Sequence, residues 1–515
     1  MKRSFKYILS FFLIFYSNFI IADCLKNNYP CFKDKVNQLV AYNGNNIWSR
    51  QMLDEFNEQL FILQLSNLAP QFNTRISYVR NNVEEINTIS YQELVTDSFI
   101  LYKIIIKKIH VNPHVLYTSK LLNVVVVGNN LPDMDPLINY EQLLKLRPLK
   151  YNYQASLVYL KKLNEQNDIQ ISLNQGLIRY SKVIPYGKQL IEKLNFYNDL
   201  DDFNYEYLLT QQVILNQGEV NLAIKNFQRR NGLKVDGVIG NETTRALNNS
   251  FSNDQRILAL NMQRTRLKKM RAPIYLYVNV PDFKLQVFRN YNKVFESKVI
   301  TGRYKRPTGL FSSEMRNIVI NPTWNVPEGI KKKDIIPNVK RNIHYLRKNK
   351  INIIRSWQNP RKISPYSINW RNVNPRNFPY QFQQTPGRHN SLGKVKFDFP
   401  NNFAIFLHDT SSKNLFMKDK RALSSGCVRV ENAVTLAEYL LQFEGYSSNQ
   451  ISNYVNSRRT KYLKISKPIY IQMMYITSWV DENDILHKRP DIYGYDKKQS
   501  YVKNISFVSM KHFQN

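Results

Sequence analysis

Two side chains able to carry acyl-transfer chemistry stand 19 positions apart in this 515-residue chain. His408 lies in Leu407-His408-Asp409, and Cys427 lies in Leu423-Ser424-Ser425-Gly426-Cys427-Val428-Arg429-Val430. A cysteine attacks carbonyls as the thiolate, and a neighbouring imidazole removes its proton. Gly426 allows close backbone approach, so that the Gly426 and Cys427 N–H groups can point at a developing oxyanion. The competing reading is a buried structural cysteine with an unrelated histidine, and for an isolated pair that reading wins. The surrounding chain has to decide.

The elements that must position the pair are legible. His408 ends an apolar run, residues 403–407, that reads as a buried strand. Cys427 follows a small, flexible Ser-Ser-Gly and precedes an alternating apolar piece, after which Asn432 opens a helix carrying Val434, Ala437, Tyr439 and Leu440.

At these residues the sequence resembles the L,D-transpeptidases with a YkuD-type catalytic domain. Their signature is a histidine, an intervening stretch, then Ser/Thr-x-Gly-Cys and a basic residue. Many members carry a second histidine where this chain has Ser425. The Ser-Ser-Gly-Cys-Val-Arg-Val form resembles the multi-domain, YcbB-like branch. The departure leaves His408 as the base, with His389 as runner-up. The resemblance implies Cys427 as nucleophile, His408 as general base and acid, and Gly426 as a backbone oxyanion donor. Arg429 is expected to bind a carboxylate or brace the loop. Asp409, Ser424 and Ser425 are orienting candidates, and Trp324 is the aromatic expected near substrate. No cofactor is implied, and no His/Cys/carboxylate cluster has metal-ligand spacing.

Lys and Arg number 73 against 39 Asp and Glu, a formal charge of +34. Such a charge calls for anionic surroundings. No finger, homeodomain or RNP-like pattern accompanies it, so nucleic acid is not the expected partner; a polyanionic envelope fits equally. Lys2, Arg3 and Lys6 precede the apolar run 7–21, which reads as an export signal (residues 1–22) with cleavage near Ala22, or as an uncleaved anchor. Asp23 before Cys24 argues against a lipoprotein cysteine. The body of the protein is therefore expected outside the cytoplasm, in the periplasm. There Cys24 and Cys31 either pair or remain two thiols, and Cys427 stands alone.

The expected architecture is α+β and multidomain. Residues 23–205 read as a mostly helical scaffold, with helical spacing at 51–60 and around 143–163, interrupted by a strand-like stretch at 121–127. Residues 206–262 hold a second unit. Val220, Ala223, Ile224 and Phe227 mark a helix face, Gly232 suits its αL cap, and Asn241 is read as the N-cap of the next helix. Phe227-Gln228-Arg229, Val235-Asp236-Gly237-Val238-Ile239-Gly240, Thr243 and Ala246-Leu247 resemble the peptidoglycan-binding module with a three-helix core. Residues 271–498 read as the mixed β catalytic domain: a strand at 274–278, a hairpin from 284–288 and 294–300, and strands at 317–320 and 469–476, with residues 479–494 closing it. Within it stands a long insertion at about 329–384, which the resemblance implies caps the active site; its lysines and His344 are expected to be solvated. Residues 499–515 read as a tail.

The resemblance implies acyl transfer on peptidoglycan stem peptides through a Cys427 thioester, with release of D-alanine. The acceptor it implies is a diaminopimelate amine, giving 3→3 cross-links. An outer-membrane protein amine or water are alternative acceptors, and a non-catalytic wall-binding scaffold is the alternative from another class. Carbapenem sensitivity follows from the same thiolate.

Overall fold

The computed structural model describes residues 32–118, 122, 137–148, 152–169, 171, 176–269 and 273–497. The export signal, Cys24, Cys31, most of the strand-like stretch at 121–127 and the tail from 499 lie outside the described residues. Two units are present: residues up to Leu267 together with those from Thr477, and Lys268–Ile476. Among the described residues no helix is long and apolar enough to cross a membrane.

The first unit is helical, as its spacing predicts. Arg50–Ser66 starts on Ser49, whose side chain accepts from the Met52 N–H, and buries Leu53, Phe56, Leu60 and Leu63 at i, i+3, i+7 and i+10. One core gathers this helix with Tyr153–Glu165 and Phe251–Thr265. Val480 and Leu486, from the short strands Ser478–Val480 and Leu486–Lys488, complete that core. The segment read as closing the catalytic domain thus packs among the helices. Fully buried Arg264 is neutralised there by Asp496 at 2.7 Å, and Lys488 reaches Asp254 at 2.7 Å.

A second core in this unit joins Leu190, Ile191 and Leu194 to Val220, Ala223, Ile224, Phe227, Ile239 and Leu247. The helix Gly218–Arg230 ends as the glycine requires. Gly232 has φ +63°, its N–H meets Arg229 O, and the Leu233 N–H meets Gln228 O, a Schellman motif. Asn241 is the first residue of its helix, and no side chain caps that end; Gly240 holds the N-cap position.

The second unit carries a nine-stranded sheet, eight strands of which close on themselves. β1 (Ile274–Asn279), β2 (Lys284–Arg289), β3 (Asn292–Gly302) and β4 (Ser312–Ile320) enter first. The β2–β3 turn at Asn290 and Tyr291 has both residues at positive φ, the geometry that matches strand twist. A four-stranded sheet follows in the insertion: β5 (Trp324–Asn325), β6 (Ile351–Ile354), β7 (Lys362–Ile363) and β8 (Gln381–Gln384), in the order β5-β8-β6-β7. The chain then returns through β9 (Val395–Asp398), β10 (Leu407–His408), β11 (Ala422–Ser424), β12 (Val428–Val430) and β13 (Lys461–Met474). The large sheet runs β11-β3-β12-β10-β9-β4-β13-β1-β2, and the β2–β3 pairing closes it. The β13–β4 register breaks between Lys464 and Ile469, where Pro468 has no N–H to give the ladder.

The insertion has its own core of Trp324, Ile335, Ile336, Val339, Ile353, Trp370, Phe378 and Phe382. Its strands are too short to show periodicity in sequence. The expectation that its lysines are all solvated fails at Lys331, which is buried and held by Glu328 at 2.8 Å.

Candidate active site

β10 lies between β9 and β12 in the large sheet. It is shorter than the sequence suggests. Residues 403–406 form a turn and coil, and Phe403 is exposed. Asn401 makes that turn. Its Oδ1 accepts from the Phe403 and Ile405 N–H groups at 3.0 Å each, and its Nδ2 donates to Ile405 O at 2.6 Å. A side chain thus satisfies backbone groups that a strand would have paired. Ala404 sits at φ +53°, an unfavourable region for alanine.

β10 and β12 are parallel, with Leu407 opposite Val428 and His408 opposite Arg429. The Val428 N–H continues the pairing to Phe406 O at 3.2 Å. Facing residues share a face and alternate residues return to it. His408 and Arg429 therefore share a face; Cys427 stands just before β12, two residues from Arg429, and has Arg429 and Lys396 as charged neighbours in common with His408. On the other side of β10, Lys396 stands opposite His408, so a cation flanks the histidine on each neighbouring strand. Phe406 packs edge-on against the imidazole with centroids 5.7 Å apart.

His408 is buried at 5% exposure, and its Nδ1 contacts Asp409 O. A carbonyl only accepts, so Nδ1 carries the proton and Nε2 keeps its lone pair. Burial, then Arg429, and finally Lys396 push the imidazole down to about 3, against a smaller upward pull from the Asp409 carbonyl. It is neutral at any physiological pH. The half-buried Cys427 is the free cysteine of the described residues, its Sγ 3.9 Å from Ala404 O. Burial raises its thiol, opposed by a Phe406 backbone hydrogen bond and by Arg429 and Lys396. Burial likewise lowers Arg429.

The loop between β11 and β12 is tied at every residue. Ser424 is buried; its hydroxyl accepts from the Gly426 N–H at 3.1 Å and donates to Cys427 O at 2.6 Å. Gly426 has φ +122°, which excludes side-chain-bearing residues although an added Cβ would find nothing nearer than 3.7 Å. Its N–H, expected to face an oxyanion, is thus already engaged, whereas the Cys427 N–H makes no hydrogen bond among the described residues. Thr308 Oγ1 donates to Gly426 O and accepts from the Gly302 N–H, both at 2.8 Å.

Other expected residues separate from this cluster. Asp409 points to the opposite face, where its carboxylate takes the Lys394 N–H at 2.8 Å and lies 2.5 Å from Lys413 Nζ. Its carbonyl oxygen, rather than its carboxylate, contacts His408 Nδ1. Trp324, expected beside substrate, is a core residue of the insertion at 8% exposure. His344 and His389 are exposed. No metal-binding cluster of His, Cys, Asp and Glu occurs among the described residues. Sequence reasoning missed Thr308, Lys396, Arg306 and Asn401, which carry no motif; only strand register and loop contacts reveal them.

Residues 273–468 match the L,D-transpeptidase catalytic domain, and residues 217–247 match the family described as a putative peptidoglycan binding domain. A putative L,D-transpeptidase of Haemophilus influenzae is 36% identical over 250 residues, 48% of this chain and 49% of that protein. The chain therefore spans about half the length of the curated relative it matches. A crystal structure titled as an L,D-transpeptidase from Stackebrandtia nassauensis aligns over 59% of this chain and 96% of that one, at 12% identity and TM-score 0.21; at that score it carries no weight.

Proposed function

We propose that this protein is a peptidoglycan L,D-transpeptidase acting outside the cytoplasm, with Cys427 as nucleophile and His408 as base and acid. The observation that supports the reading is the parallel register of β10 and β12, with His408 opposite Arg429 two residues after Cys427, together with the contact of His408 Nδ1 with Asp409 O. As Sγ attacks the carbonyl preceding the terminal D-alanine of a tetrapeptide stem, its proton passes to His408 Nε2. The tetrahedral oxyanion forms at the Cys427 N–H; the Gly426 N–H joins by turning from Ser424 Oγ. One such donor is worth about 10²–10³ in rate. His408 then protonates the departing amine as the C–N bond breaks, leaving a thioester and free D-alanine. A diaminopimelate amine of a second stem attacks the thioester, loses a proton to His408, and restores the thiol. Arg429, beside both groups, serves as brace and as partner for a stem carboxylate. The 217–247 module supports a wall substrate. A carbapenem is expected to acylate the same sulfur.

The test is muropeptide mass spectrometry after incubation with wild type and Cys427→Ala. Cysteine-dependent 3→3 dimers with D-alanine release support the proposal. Tripeptide stems alone would assign water as acceptor, stems joined to an added protein amine would assign wall anchoring, and unchanged stems would leave a scaffold.

A further inference from the structure

The nucleophile loop is held from outside by the turn that follows β3, residue against residue. The Arg303 N–H donates to Ser424 O at 3.1 Å, Arg306 Nη1 donates to Ser425 Oγ at 3.0 Å, and Thr308 Oγ1 donates to Gly426 O at 2.8 Å. Three consecutive residues before Cys427 thus rest on residues 303–308. The turn is itself tight: the Arg306 N–H meets Arg303 O at 2.8 Å, and a Cβ on Gly302 would lie 2.3 Å from Arg306 O.

Of these three supports only Arg306 acts through a long side chain, which needs an anchor. The anchor comes from the insertion. Asp334 receives Arg306 through both carboxylate oxygens, Nη2 reaching Oδ1 at 3.0 Å and Nη1 contacting Oδ2. Such a fork fixes the guanidinium plane as a lone ammonium cannot. Asp334 lies in Lys331–Ile335, a stretch of π-helix, whose neighbours Ile335 and Ile336 are buried in the insertion's core. Wide-turn helical segments recur at functional positions.

We propose that Arg306 is a positioning residue for Cys427, clamped by Asp334 so that the packed insertion sets the geometry of the nucleophile loop. It touches neither sulfur nor imidazole; it acts through Ser425. The inference rests on the cysteine reading above. It gives the part-buried Arg306–Asp334 pair a role beyond the modest stability such an ion pair adds.

The test uses the full chain and single-turnover acylation by a carbapenem, followed as adduct in the intact mass. Arg306→Ala and Asp334→Asn are expected to slow acylation about tenfold to a hundredfold, the scale of a displacement near 1 Å at a reacting group. Alkylation of Cys427 by iodoacetamide, which uses no oxyanion geometry, should change less than about threefold. Arg306→Lys should recover little, since one ammonium cannot serve Asp334 bidentately and Ser425 together. Ser425→Ala, at an exposed position unlikely to disturb folding, should slow acylation by about threefold or more. Acylation within twofold of wild type in Arg306→Ala and Ser425→Ala would overturn the proposal, as would alkylation falling in step with acylation. A wild type that forms no adduct while iodoacetamide still labels it would instead defeat the catalytic reading, and this one with it.

Discussion

The two cations beside His408 give a prediction that can be worked from register alone. Lys396 and Arg429 face His408 on adjacent strands, so their charges stand on the order of 6 Å from the ring, given strand neighbours about 5 Å apart. At an effective dielectric near 20 a unit charge at that distance is worth about 3 kcal/mol, or about two pKa units. The Lys396 charge counts for less because Asp398 sits 2.9 Å from its Nζ, whereas Arg429 forms no ion pair among the described residues. Arg429→Met should therefore raise the imidazole from about 3 to about 5, and Lys396→Met only to about 4. Removing a cation makes the imidazolium less unfavourable, so both shifts are upward. The assay is the rate of carbapenem acylation between pH 4 and 8, with circular dichroism at each pH to confirm folding. Wild type should be flat to below pH 4.5. Arg429→Met should have fallen by about half at pH 5. Loss of Arg429 also raises the thiol, but a thiol protonated across the range lowers the whole profile without moving its acid limb. An Arg429→Met limb below pH 4, or a Lys396→Met shift larger than that of Arg429→Met, would refute the reasoning.

Ser424→Ala frees the Gly426 N–H and leaves Cys427 O without its donor, so acylation should change at least tenfold while Tm moves only a few degrees; single-turnover rates beside a melting curve read both. His408 titrates at about 6.5 when unfolded and about 3 when folded, so the unfolded chain binds more protons between these values and stability drains as pH falls through that window. The loss is on the order of 4 kcal/mol, and urea unfolding of His408→Gln at pH 7 and 4 should show a correspondingly flatter dependence than wild type.

Much of this molecule could be read before its fold was known, and the reasons differ by element. The hairpin from Lys284–Arg289 and Asn292–Gly302 is legible because alternation is a local signal. The Gly232 cap is legible because one residue type alone tolerates that backbone. Residues 403–407 misled because composition records apolarity, not pairing: Asn401 folds the first four into a turn, and only Leu407 and His408 join the sheet. Trp324 misled for a related reason, since an aromatic beside a candidate site can belong to a neighbouring core. The cations at 396 and 429 and the threonine at 308 were invisible as a group. Their proximity is a product of strand order β9-β10-β12 and of the β3 turn, separations that no spacing rule spans.

These cations pose the central physical question of the site. Burial raises the thiol above its ordinary value and pushes the imidazole down to about 3, so a resting thiolate–imidazolium pair is disfavoured. The site is therefore unlike cysteine–histidine pairs whose thiol is depressed by the imidazolium itself. Arg429 and Lys396 favour the thiolate yet oppose the imidazolium, and burial opposes both charges. In the proposed mechanism the proton then moves together with attack, when the negative charge passes from sulfur to the carbonyl oxygen at the Cys427 N–H. A stem carboxylate bound by Arg429, as proposed, would lower the cost further by cancelling the field that disfavours imidazolium. The acid limb of Arg429→Met reads that field directly, which is why the shape of one pH profile bears on the whole catalytic reading.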